Sequence, residues 1–133
     1  MIKRKMFITL LALNCTWLMA NPIDEMFDYY QQAGVTTVDS QKGRLLWTQA
    51  FITEKSNGEE RSCASCHGSN VTQSGEHVRT SKVIEPMAKS INTKRYTDTK
   101  KIKKWFKRNC KWTLGRECSA QEQADILKYL ITQ

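Results

Sequence analysis

The pentapeptide Cys63-Ala64-Ser65-Cys66-His67 constrains this chain more than any other feature. Two thiols three positions apart, followed directly by an imidazole, form the C-x-x-C-H pattern. Such thiols add to the two vinyl groups on one edge of a porphyrin, and the adjoining His becomes the proximal iron ligand. Three other uses of the pattern fit less well. A thioredoxin-like C-x-x-C expects a βαβ pattern around it, and none is present. A structural zinc site needs four ligands, and Cys110 and Cys118 do not make a second close-spaced pair. A Cys63–Cys66 disulfide would leave His67 without a purpose. The motif therefore predicts one covalently attached haem c, with its iron, held by Cys63, Cys66 and His67.

The chain has 133 residues, a length that suits one domain, and five cysteines, an uneven number. The N-terminus accounts for one of them. Lys3, Arg4 and Lys5 precede the apolar run Met6 to Leu13, and Asn14 to Ala20 leads to a cleavage point after Ala20. That is the pattern of an export signal; the apolar run is well short of the roughly 20 residues a spanning helix needs. Asn14 before Cys15 argues against a lipoprotein site. The expected organisation is a cleaved signal over 1–20 and a monohaem domain over 21–133, with residues 21–38 as an N-terminal helical extension. Localisation is expected to be periplasmic, where disulfides persist. The formal charge of +8 falls to +5 once the three basic residues of the signal are removed. Cys110 and Cys118 remain as a pair across a short loop containing Leu114-Gly115, and a structural disulfide is expected there.

The pattern of apolar residues reads as all-α. Asn21-Pro22 opens a first helix with Ile23, Met26, Phe27 and Tyr30 at i, i+3, i+4, i+7, ended by Gly34. A second helix is expected from Asp39 or Ser40 to about Thr53, and Asn57-Gly58 marks a turn. A third is capped near Thr97 or Asp98 and reaches about Asn109. The last starts at Ser119, whose spacing to Glu122 makes a capping box. No strand-like alternation stands out. The long irregular middle is unusual for a compact domain unless a cofactor fills the core.

The opposite face of the iron decides between electron transfer and small-molecule binding. Met87, His77, Asn109 or no protein group could occupy it. Met87 follows Pro86 in an extended loop, but it also reads as a packing methionine. His77 lies in a polar stretch. Asn109 falls with Ile102, Trp105 and Phe106 on one helical face, while Lys100, Lys101, Lys103, Lys104, Lys107 and Arg108 occupy the remainder. An Asn at a helix end can also simply bond carbonyls.

Taken together, Cys63–His67, Ile84-Glu85-Pro86-Met87-Ala88, Asn92 to Asp98, Trp105-Phe106-Lys107-Arg108-Asn109-Cys110 and Leu114-Gly115-Arg116-Glu117-Cys118 resemble the sphaeroides haem proteins. These are asparagine-ligated, oxygen-binding class I cytochromes c. The likeness spans most of residues 40–131, and Gly43, Trp47, Tyr129 and Leu130 carry the wider class. It implies a class I cytochrome c fold, with helices wrapped around one haem and a Gly on an early helix allowing a close crossing. It implies that Asn109 is the distal ligand beside a Cys110–Cys118 disulfide, and that the Asn leaves reduced iron to admit O2 or NO. It also implies a dihaem cytochrome c or a membrane cytochrome b as electron donor. An amide oxygen is a hard, weak ligand for ferrous iron, in keeping with that behaviour. No residue supplies an evident general acid, so no catalytic residue is assigned and turnover in oxygen or nitrogen-oxide chemistry is left open. The alternative is a simple electron carrier with Met87 or His77 as a fixed ligand. The basic run Lys100–Lys111 reads as a solvated face or a patch for an acidic redox partner, with no nucleic acid expected.

Overall fold

The computed structural model describes residues 20–133; the expected export segment, with Cys15, lies outside them apart from Ala20. Five helices dominate: α1 (Pro22–Gln32), α2 (Ser40–Thr48), the single turn α3 (Ala64–His67), α4 (Thr99–Thr113) and α5 (Ala120–Ile131). Each long helix starts at a residue whose side chain accepts from an otherwise unpaired N–H. Asn21 caps α1, Asp39 caps α2, Asp98 caps α4, and Ser119 with Glu122 makes the expected capping box on α5.

The central crossing is that of α2 on α5. Gly43 sits where a Cβ would strike the backbone carbonyl of Asp125, so only glycine allows this approach. Asp125, buried in α5, accepts from the Asp39 amide at 2.7 Å and from Gln121 at 3.0 Å, which ties the start of α2 to α5. α1 packs on α4 and α5. Its Met26 and Tyr30 are fully buried with Val35, Ile102, Ala124 and Leu127, so the N-terminal extension is part of the core.

Three expectations are corrected. α2 stops at Thr48 instead of about Thr53, because Gln49 is extended and Phe51 pairs with Arg61 through two backbone hydrogen bonds. That bridge closes a loop around one 3-10 turn, Glu54–Ser56, and the expected turn at Asn57-Gly58, both at positive φ. α4 continues to Thr113, so Asn109 lies inside the helix and does not terminate it. A two-stranded antiparallel hairpin, β1 (Gly75–Glu76) and β2 (Val83–Ile84), interrupts the otherwise irregular middle.

Candidate functional site

The two thiols and the imidazole of the motif come from the single turn α3. Serine side chains build it: Ser62 and Ser65 exchange hydrogen bonds with each other's backbone amides at 3.0 and 2.9 Å. Trp47 of α2 covers the turn, its ring centroid 5.4 Å from that of His67 and its indole N–H donating to Gly68 O at 2.9 Å. Behind the turn lies β1, where a Cβ on Gly75 would collide with Cys66 O and the His67 backbone. The hairpin therefore seats directly on the motif through a missing side chain.

Cys63, Cys66 and His67 line a cavity of about 480 Å³, within the range of small-molecule and cofactor sites. Ile102, Trp105, Phe106 and Asn109 of α4 line the same cavity, which is the helical face expected from their spacing. Met87 and His77 also border it. Cys110, next to Asn109, is joined to Cys118 with an S–S distance of 2.01 Å and Cα atoms 5.5 Å apart. Glu117 on the connecting loop pairs with Lys111 at 3.0 Å and with Lys107 at 3.8 Å, so the loop lies back along α4.

The residues suit a haem. Cys63 and Cys66 carry free thiols, and burial pushes the Cys63 thiol up to about 12, which keeps it protonated. Burial, with lesser contributions from Arg95 and His77, pushes the His67 imidazole down to about 4, so it is neutral at physiological pH. Neutral imidazole is the form that binds a metal. Its buried Nδ1 has no hydrogen-bond partner, an uncommon state for a buried polar atom.

Sequence reasoning missed how the loop with Met87 is held. Arg95 donates to Pro86 O at 2.6 Å and to Glu85 O at 2.7 Å, and the Tyr96 hydroxyl donates to Met87 O at 2.6 Å. Burial raises the Tyr96 phenol above its ordinary value, so it stays a donor. Both partners belong to segments noted for their resemblance, but nothing local in either marks the pairing. His77 opens the turn between β1 and β2, two residues past Gly75, in the hairpin that seats on Cys66 and His67.

Residues 33–130 match a family model described as a domain of unknown function, DUF1924. The cytochrome c-type protein SHP of Cereibacter sphaeroides is 38% identical over 106 residues, covering 78% of each chain. Cytochrome c'' of Methylophilus methylotrophus is 38% identical over 91 residues, 68% of this chain and 62% of that one. Among solved structures, oxidised cytochrome c'' from the same Methylophilus species superposes with a TM-score of 0.75 at 30% identity, over 84% of this chain and 94% of the other. Oxidised SHP, described as an oxygen-binding cytochrome c, gives 0.74 at 34% identity, over 84% and 96%.

Proposed function

The chain belongs to the sphaeroides haem protein family of c-type cytochromes, and from that premise we propose that it is a periplasmic monohaem cytochrome c with a displaceable Asn109 ligand. Its fold is the all-α class I cytochrome c fold, and its cofactor is haem with iron. One observation carries the reading: a C-x-x-C-H turn and the Ile102–Asn109 face of α4 border one cavity.

In this reading the Cys63 and Cys66 thiols would hold the cofactor covalently through its vinyl groups. His67 supplies the proximal nitrogen, oriented by Trp47. Haem iron supplies a one-electron couple and a coordination position for a diatomic molecule. Asn109 would be the residue to hold that position in the oxidised protein, and it would give way on reduction to O2 or NO. A weak amide oxygen is suited to this, whereas thioether and imidazole hold ferrous iron more firmly. Support for Asn109 over His77 comes from the hairpin, which carries His77 and seats on the His67 turn through Gly75. Residues 1–20 act as a cleaved export signal, residues 21–38 extend the domain with α1, and the electron donor is a dihaem cytochrome c or a membrane cytochrome b.

Met87 also borders the cavity, which keeps a fixed thioether ligand as the second reading. Absorption spectra of the reduced protein with and without carbon monoxide separate the two. Binding of carbon monoxide, with an oxidised spectrum altered by Asn109→Ala and barely by Met87→Ala, is the expected result. A reduced protein that ignores carbon monoxide, with Met87→Ala changing the oxidised spectrum, would establish the electron-carrier reading instead.

A further inference from the structure

The mouth of the cavity is unevenly charged. Arg79, Lys94, Lys101 and Arg108 are exposed and border it together with half-buried Arg95; on the acidic side stands Asp98, whose carboxylate accepts from the Lys101 amide as the cap of α4. α4 itself holds no acidic residue from Thr99 to Thr113. Its helical spacing sets Lys100 and Lys104 beside Lys101 and Arg108 on one flank. Two propionates on a bound haem would neutralise two cations and leave the rim positive.

Exposed apolar groups sit in the same place. Trp105 lines the cavity yet is 50% exposed, with the Arg108 guanidinium 5.5 Å from its ring centroid. Across the opening, Val83 is 72% exposed beside Ile84, which lines the cavity. A tryptophan held by an arginine is the kind of anchor on which protein interfaces concentrate their binding energy. Surrounding cations of one sign steer a partner of opposite potential toward it.

We propose that Trp105 and Arg108, ringed by Lys100, Lys101 and Lys104, form the docking face for the electron donor, and that this donor presents an acidic surface around its own redox centre. The proposal rests on the haem reading above but not on the identity of the sixth ligand. One electron passes from the reduced donor to the oxidised iron.

The test measures reduction of the oxidised holoprotein by a photoreduced acidic flavoprotein and, in parallel, by a photoreduced neutral flavin. The flavoprotein rate is expected to fall about tenfold or more between about 10 mM and about 200 mM salt. Lys100→Glu with Lys104→Glu is expected to produce a similar fall at low salt, with the neutral-flavin rate unchanged. Trp105→Ala is expected to slow the flavoprotein at both salt concentrations. Lys42→Glu, the reversal of an exposed lysine on α2 that carries half the charge change, is the control for charge away from the face. Flavoprotein rates that ignore salt and the paired reversal overturn the proposal, as does an equal fall with the neutral flavin. It also fails if Lys42→Glu slows reduction as much as the paired reversal. A protein that ignores carbon monoxide but shows the expected salt dependence loses the Asn109 ligand and keeps the docking face.

Discussion

The cavity has two walls built on different plans. The His67 wall is assembled from short pieces: one helical turn, a hairpin of two two-residue strands and a loop pinned by Arg95 and Tyr96. Its chemistry is placed by backbone, with Gly75 pressed on Cys66 and an indole N–H holding Gly68 O. The Asn109 wall is one helix of 15 residues, where side chains alternate between cavity and solvent and the far end is tied to Cys118. The first plan leaves little room for adjustment, because most of its contacts involve main chain. The second fixes a helix axis and presents side chains, not main chain, to the cavity. That difference suits the proposed division between a fixed attachment on one side and a releasable ligand on the other.

Breaking the His67 wall should have the largest effect. Gly75→Ala forces a Cβ into the Cys66 carbonyl, and the expected outcome is little or no protein with covalently bound haem, seen as loss of haem staining on a denaturing gel. Gly43→Ala meets the Asp125 backbone at the α2–α5 crossing. Overpacking against main chain should destabilise by about 3 kcal/mol in denaturant titrations, with haem still attached. Opening the Cys110–Cys118 link with Cys118→Ser should cost about 2–3 kcal/mol and broaden the Asn109-dependent features of the oxidised spectrum. If Cys118→Ser instead prevents haem attachment, the two walls are not independent and the comparison fails.

The smallest expected effect lies at the start of α5. Hydrogen bonding from Arg116, at 2.7 Å, holds the Glu122 carboxyl below its ordinary value, with help from the Ser119 amide. A carboxyl lowered on folding stabilises the folded state above its unfolded pKa, and the contribution fades as pH falls through the folded value. Glu122→Gln should therefore cost up to about 1 kcal/mol near pH 7 and close to nothing well below the carboxylate range. A penalty that persists in acid would assign the effect to packing instead.

How far each wall could be read from the sequence follows the same division. The face Ile102, Trp105, Phe106, Asn109 is a local 3.6-residue repeat and was legible, as were the starts at Asn21 and Ser119, with those of α2 and α4 narrowed to two neighbouring residues each. The C-x-x-C-H turn announces its own chemistry. By contrast, the early end of α2 depends on Phe51 meeting Arg61, ten residues on, and no local preference at Gln49 signals it. Gly75 reads as an ordinary turn glycine until Cys66 is behind it. The grip of Arg95 on Pro86 is likewise a contact between two loops, with no periodicity to betray it. The end of α4 was misplaced because an asparagine before a cysteine resembles a terminator, while the four residues that follow continue the turn.

That continuation past Asn109 sets the kind of motion available to it. A residue in the body of a helix keeps its φ and ψ, so under the proposed ligation the Asn109 amide would leave and return by hopping between side-chain rotamers. In a helix one of the three χ1 wells is largely closed by the preceding turn. Asn109, which lines the cavity from the body of α4, is held to that restricted set. Such a hop belongs to fast side-chain motion, far quicker than rebuilding a loop. A ligand exchange built this way would be timed by bond breaking at the metal, with the protein frame standing still.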